Sequence, residues 1–227
     1  MSSHVEGVEL YIGQSPHNPE VLDPKSVEVR FGDPMVDAAR LLQLFTQPTT
    51  IEHLAAITPS TTEDEIRELY RDKGLTLLTA ETSSGLIVGT YSVQKPGFGS
   101  RVAEGMRLVV DERYRNLRIA EKLVKAANAV MFEKGEDGGF GEFGCNKSQV
   151  YVIIGIDNDG TPQRVYEREG YLKSPQNIGC TYSWSNESNK LVVRTSQPMF
   201  LYRESYNRDR LGEQGVYYPK ERPTRPS

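Results

Sequence analysis

The stretch that begins at Ala103 constrains the fold most. AEGMRLVV reads as a strand, DERYRN as a tight polar turn, and LRIAEKLVKAANAVMFEKG as a helix. In that helix Ile119, Leu123, Ala126 and Val130 form one stripe, the spacing of a face packed on a sheet, while Arg118, Lys122 and Lys125 lie off it. Further on, the unbroken run Val150-Tyr151-Val152-Ile153-Ile154 reads as a strand buried on both faces. Strand, helix and buried strand in that order predict a right-handed crossover between two parallel strands. A strand that feeds straight into a helix also leaves the first helical N–H groups unpaired, and together with the helix dipole they favour a phosphate. Arg113, Arg115 and Arg118 sit in that turn, so a phosphate-bearing ligand is the first functional expectation.

The rest of the chain supplies neighbours for this unit. Residues 1–25 carry Pro16, Pro19 and Pro24 without a sustained period and read as an irregular arm. Val27 and Val29 alternate with Glu28 and Arg30 as in a half-buried strand, and Asp33-Pro34 opens a helix bearing Ala38, Leu41, Leu42 and Phe45. Thr62 with Glu65 makes a capping-box pattern ahead of Ile66, Leu69 and Tyr70, and Gly74 ends that helix. Leu75 to Ala80 and Leu86 to Val93 read as a hairpin around Ser83-Ser84-Gly85, with Val102 to Val110 as the next strand. A short helix from Pro162 to Glu169 stops at Gly170, and two more strands are expected around Thr181 to Trp184 and Leu191 to Leu201, where Pro198 is an irregularity. The expected organisation is an arm over 1–25, one domain over 26–203 and a polar, proline-containing tail over 204–227, surface-bound or mobile.

A chain of 227 residues can bury a sizeable core, and its net charge of −4 argues against generic nucleic-acid binding. Any anion site must therefore be local. Two cysteines, Cys145 and Cys180, and no apolar leader or span point to a cytoplasmic setting without membrane attachment, in which the sequons at Asn146 and Asn186 are chance matches. Gly139-Phe140-Gly141-Glu142-Phe143-Gly144 matches a dinucleotide fingerprint, yet it follows a helix and precedes a strand, the reverse of what that motif requires, so it reads as a connection. His4, His17 and His53 lack metal-ligand spacing, and neither a metal site nor histidine-base chemistry is expected.

With these elements in view, Val109-Val110-Asp111-Glu112-Arg113-Tyr114-Arg115-Asn116-Leu117-Arg118-Ile119-Ala120-Glu121-Lys122-Leu123 resembles motif A of the GNAT superfamily of acyl-CoA-dependent N-acyltransferases. Ile156-Asp157-Asn158 through Tyr166-Glu167-Arg168-Glu169-Gly170-Tyr171 resembles its motif B, in the right order and separation, and the strand Gly85-Leu86-Ile87-Val88-Gly89 fits ahead of both. The resemblance covers roughly residues 26 to 203. It implies an α/β (α+β) GNAT fold: a mixed, mostly antiparallel sheet of six to seven strands flanked by helices, with one parallel pair splayed for acyl-CoA. There is one departure. Arg118 stands where the family has its first glycine, and Asn116 where a second is common, so Arg118 either narrows the phosphate approach or reaches over the phosphates itself.

The resemblance further implies acetyl-CoA as co-substrate, no metal, and an amine acceptor that is a small molecule or a protein. A homodimer is compatible with it. Leu108, Val109 and Val110 would meet the pantetheine and polarise the thioester carbonyl, and the amides of Arg115, Asn116, Leu117, Arg118, Ile119 and Ala120 would hold the pyrophosphate. Asn158 would bond the pantetheine, or is a turn asparagine. Tyr166 resembles the tyrosine that protonates the departing sulfur, and Glu104 the strand carboxylate that accepts the amine proton. The alternatives are a packed aromatic and a loop-orienting carboxylate. For the acceptor, Glu63, Asp64 and Glu65 would attract a cationic amine if they are more than a helix start, and Tyr182, Trp184 and Tyr202 either line a pocket or pack the core. Two function classes follow: an enzyme moving acetyl to a primary amine, or a non-catalytic GNAT-fold module that binds acyl-CoA or a partner protein.

Overall fold

The computed structural model describes residues 22–97, 100–133, 145–154, 161–175, 178–209, 213 and 216–221. The stretch 139–144 and Asn158 lie outside them.

Local chemistry sets the first helices. Asp33 caps α1 (Pro34–Phe45) by accepting from the Met35 amide at 2.9 Å, with proline pre-set in the first turn. A short helix α2 (Pro48–Ile51) follows. At α3 (Glu63–Lys73) the capping box forms in both directions, and Gly74 closes the helix at φ +56°.

The sheet has eight strands in the order β1 (Glu28–Phe31), β2 (Leu75–Glu81), β3 (Ile87–Gln94), β4 (Val102–Val110), β5 (Lys147–Ile153), β8 (Lys190–Tyr202) and β6 (Leu172–Lys173), with β7 (Gly179–Ser185) paired to the first half of β8. Among the strands of the described residues, only β4 and β5 pair in parallel. The two-residue strand β6, too short to show a pattern, takes the count past the six to seven expected. Between β4 and β5 lies α4 (Ile119–Phe132), which buries Ile119, Leu123, Ala126 and Val130 against the sheet as its stripe requires. The helices α5 (Thr161–Arg168) and α6 (Arg203–Asp209) complete the elements.

Two cores result. One lies between the sheet and α4 and takes in Tyr91, Tyr166 and Tyr171, and the other lies under α1 and α3 on the opposite face. β5 departs from its sequence reading as a strand buried on both faces. Val150, Val152 and Ile153 are buried, but Tyr151 is 46% exposed, on a face where α1 packs mainly over β3 and β4. The stretch after Arg203 also departs from a purely polar tail. In α6, Tyr206 is buried against Phe132 and donates to Glu133 at 2.6 Å. Lys220 bridges to the β1 edge through the Phe31 and Val29 backbones at 3.0 Å each.

Candidate active site

The last pair joining β4 to β5 is Gly105 opposite Val150. Beyond it β4 stays with β3 up to Val110, while β5 stays with β8 up to Ile153, so the two parallel strands part. A bulge in β4 accompanies the parting. Ser92 pairs with Met106 and Thr90 with Val109, so Tyr91 alone faces both Arg107 and Leu108, and Arg107 takes the left-handed conformation at φ +54°. A cavity of about 700 Å³ opens here. Its wall is made by Leu108, Val109 and Val110 of β4, by Tyr114, Arg115, Asn116, Arg118, Ile119, Ala120 and Glu121, by Pro162, Val165 and Arg168 of α5, and by Thr49, Thr50, His53 and Leu54.

The loop into α4 has a backbone that glycine would ordinarily provide. Asn116 and Arg118 sit at φ +66° and +57°, at the two positions where the sequence resemblance led us to expect glycine. The loop thus keeps the left-handed shape without the residue that adopts it freely, at roughly 1–2 kcal/mol for an ordinary side chain and less for asparagine. A turn of this kind at a helix start points N–H groups into a concavity that suits an anion. Asp111 anchors it: its side chain, 1% exposed, accepts from Arg40 at 2.5 Å and from Arg113 at 2.8 and 3.1 Å. Burial alone would raise the Asp111 carboxyl, but the bonds from Arg113 and Arg40 more than reverse this and bring it down to about 2. Arg113 is therefore committed to Asp111 and does not line the cavity. Arg115 and Arg118 do, and Arg115 reaches the Thr50 hydroxyl at 3.1 Å.

The α2 region reaches the wall through contacts distant in sequence. Glu112 accepts from the Thr49 amide at 3.2 Å and from the Thr49 hydroxyl, tying α2 to the anion loop. On the other side the Ala56 amide donates to the Tyr182 carbonyl at 3.0 Å, and Arg194 pairs with Glu52 at 3.1 Å. These contacts bring His53 to the cavity, although spacing alone gave it no role. Burial holds its imidazole below the ordinary histidine value; Glu52 opposes this, and Arg115 and Arg194 add to it. The ring is thus neutral at pH 7, and nothing in its sequence neighbourhood signals this placement.

Of the residues expected at the site, Leu108, Val109, Val110, Arg115, Asn116, Arg118, Ile119 and Ala120 come together on the cavity wall. Leu117 instead packs against the α4-side core. Tyr166 is buried beside the wall residue Val165, its ring 6.4 Å from that of Tyr91 and 5.3 Å from that of Tyr171, and burial pushes its phenol up. Glu104 is half-buried within the paired part of β4, two residues short of Met106, and lies off the wall. The acidic run at α3 is engaged locally: Glu63 and Asp64 pair with Arg67 at 2.8 and 2.6 Å, and Glu65 serves the capping box. Tyr182 and Tyr202 are exposed, and Trp184 packs against the α1–α3 core. Among the described residues no group of three or more His, Cys, Asp or Glu side chains is arranged to hold a metal ion, and no helix is long and apolar enough to cross a membrane.

No curated protein matches the chain at a significant level. Among solved structures, spermidine N-acetyltransferase from Vibrio cholerae, in complex with CoA and spermine, superposes with a TM-score of 0.60 at 14% identity, over 80% of this chain and 98% of that one. A mutant of the same Vibrio cholerae enzyme gives a TM-score of 0.59 at 16% identity, over 82% and 99%. At such identities the likeness is one of fold. The family described as "Acetyltransferase (GNAT) family" matches residues 39–170, more than half of the sequence and every residue of the cavity wall. The chain belongs to the GNAT acetyltransferase family.

Proposed function

We propose that this chain transfers an acetyl group from acetyl-CoA to a primary amine by direct attack on the thioester. The observation that carries the reading is a cavity that runs from the end of β4, beyond the last pair it makes with β5, to the left-handed anion loop at the start of α4. Leu108, Val109 and Val110 line the pantetheine end, where backbone N–H groups stabilise the oxyanion that develops on the carbonyl. Arg115, Asn116, Arg118, Ile119 and Ala120 hold the pyrophosphate, with the Leu117 amide among them, and Asn158 bonds the pantetheine. The amine attacks as the neutral base, because an ammonium has no lone pair. Glu104 takes its proton, directly or through water, and Tyr166 protonates the departing sulfur.

The Vibrio cholerae neighbour was solved with spermine, which makes polyamines the first acceptors to try. A specific observation favours a second reading, a module that binds acyl-CoA without turning it over: Tyr166 and Glu104 both lie off the cavity wall. Titration of acetyl-CoA into the native chain and into an Arg115→Ala, Arg118→Glu variant tests binding. Absence of binding by the native chain removes both readings. Thiol release from acetyl-CoA across a panel of polyamines, amino acids, aminoglycosides and peptides then separates enzyme from module, and a Tyr166→Phe variant with an unchanged rate removes Tyr166 as the acid.

A further inference from the structure

Tyr91 differs from the buried Tyr70, Tyr171 and Tyr206 in what its hydroxyl does. The hydroxyls of Tyr70, Tyr171 and Tyr206 are bonded, to Ser92 at 2.6 Å, to Ser148 and Asn128 at 2.7 and 2.8 Å, and to Glu133 at 2.6 Å. Tyr91 is fully buried, yet its hydroxyl makes no hydrogen bond of ordinary geometry among the described residues, with Tyr166 as its neighbour in the hydrogen-bonding sense. A buried hydroxyl left unpaired bears its full desolvation penalty, and such groups in native proteins call for a reason.

Its position supplies one. Tyr91 is the single β3 residue opposite the β4 bulge. Its hydroxyl fills the space that Gly105 leaves open, since a Cβ on Gly105 would lie 1.9 Å from it and 3.0 Å from the Val150 side chain. Gly105 and Val150 are the last pair before β4 and β5 part. The hydroxyl therefore stands at the apex of the splay, with the Tyr166 ring 6.4 Å from its own at an angle of 51°. The surroundings keep Tyr91 a donor: burial first, then Tyr166 and Tyr171 on the helix side and Glu104 on β4, all raise its phenol, and Glu169 acts on Tyr171 in the same sense. Tyr166 has the opposite need. Burial makes it reluctant to give up a proton to a thiolate, and Tyr91 is the neighbour that works against that reluctance.

We propose that Tyr91 is a positioning residue for the acid of the reaction, donating its unengaged hydroxyl proton to the Tyr166 oxygen as Tyr166 protonates the departing thiolate. The inference rests on Tyr166 being that acid. In the step, the C–N bond forms and the C–S bond breaks with its electron pair on sulfur. Sulfur takes the Tyr166 proton, and the phenolate left behind is held by the Tyr91 O–H. The proton shed by the amine nitrogen passes to Glu104 or solvent, from which Tyr166 is restored. The bond from Tyr91 strengthens as charge develops on Tyr166, which is the condition for raising kcat without tightening substrate binding.

Tyr91→Phe, Tyr166→Phe and the double variant of the full chain test this by steady-state thiol release with acetyl-CoA and the best amine of the panel, together with thermal melts. Tyr91→Phe is expected to lower kcat by roughly 10- to 100-fold, the worth of one hydrogen bond to a charged group, and to leave KM for acetyl-CoA unchanged. Its melting temperature stays at or above that of the native chain, because no hydrogen bond of ordinary geometry is lost. The double variant is no slower than Tyr166→Phe alone. Full kcat in Tyr91→Phe beside a slow Tyr166→Phe overturns the role of Tyr91 and leaves the acid in place. A fall in melting temperature with additive losses marks a packing role and overturns it too. Full activity of Tyr166→Phe, or no turnover of any amine by the native chain, removes the acid and this inference with it.

Discussion

Replacing Asp111 by Asn should unseat the anion loop, and the size of the effect follows from the ion cluster. Asp111 joins α1 to the segment leading into α4 through Arg40 and Arg113, and Arg40 is also fixed to the Ile87 carbonyl at 2.9 Å. The carboxyl falls from an ordinary value of 3.8 to about 2 on folding. That difference is worth about 2 kcal/mol at neutral pH. Asn retains the shape but loses the charge and leaves Arg40, 19% exposed, without its carboxylate. A loss of about 2 to 4 kcal/mol is therefore expected, the upper part reflecting the stranded guanidinium. Because the folded pKa is depressed, the stabilisation is complete above about pH 5 and mostly gone by about pH 2, with about 1 kcal/mol already lost at pH 3. Urea unfolding of native and variant chains at pH 7, 5 and 3 measures the gap directly. Weaker acetyl-CoA binding by the variant at pH 7 should accompany it. A gap below about 0.5 kcal/mol at pH 7, or one that does not narrow at pH 3, would refute the reasoning.

Arg118→Gly should stabilise the chain by about 1 kcal/mol, because glycine takes φ +57° without strain, whereas Arg118→Val should destabilise it; denaturant midpoints read both. His53 should titrate below the ordinary histidine value in an NMR pH series. Since the unfolded chain binds that proton first as pH falls, stability declines below about 6.5, and His53→Gln should remove this part of the slope. Gly105→Ala should cost about 1–3 kcal/mol by driving a methyl into the Tyr91 hydroxyl, and Tyr91→Phe in the same chain should recover part of the loss, as thermal melts would show.

What could be read in the sequence was decided by residues close together in the chain. The Thr62–Glu65 box, the Asp33–Pro34 start and the Gly74 stop depend on bonds within a turn or two, and each forms. The strand–turn–helix around Val110 gave the crossover and eight of the wall residues for the same reason. The turn also carries three arginines, and local sequence treats them alike. Arg40, 71 positions from Asp111, completes the cluster that takes up Arg113 and so separates it from Arg115 and Arg118. His53 was illegible because its place depends on Glu52 meeting Arg194, 142 positions away. Tyr151 reads as core in a run of five apolar residues, and how far α1 packs across the sheet, which no local pattern carries, bears on its facing outward. The eight residues Arg203 to Arg210 are seven polar or charged residues around Tyr206, so one buried aromatic is the whole apolar signal of α6.

The strained residues trace the same path as the cavity. Of the five non-glycine residues with positive φ among those described, Arg107, Asn116 and Arg118 fall in one short stretch from the β4 bulge to the first turn of α4. Glycine would relieve each of them, at roughly 1–2 kcal/mol for the arginines. Strain of this size persists only where surrounding structure over-determines it, and it gathers where backbone groups must face a ligand. Here the over-determination can be named. Asp111 lies between the two strained places, buried and bonded to α1 and to the loop, and Glu112 ties the loop to α2. The bulge at Arg107 lies where β4 parts from β5, and the turns at Asn116 and Arg118 curl the chain around the helix start. A glycine-rich loop would reach the same shape with less strain but would be floppier when empty. This chain holds the shape with ion pairs instead, so its affinity for an anion should depend on Asp111 at least as strongly as on Arg115 or Arg118. Acetyl-CoA titration of Asp111→Asn beside Arg115→Ala and Arg118→Gly ranks the three, and a variant of Asp111 that binds as tightly as the native chain would show that the loop keeps its form without the anchor.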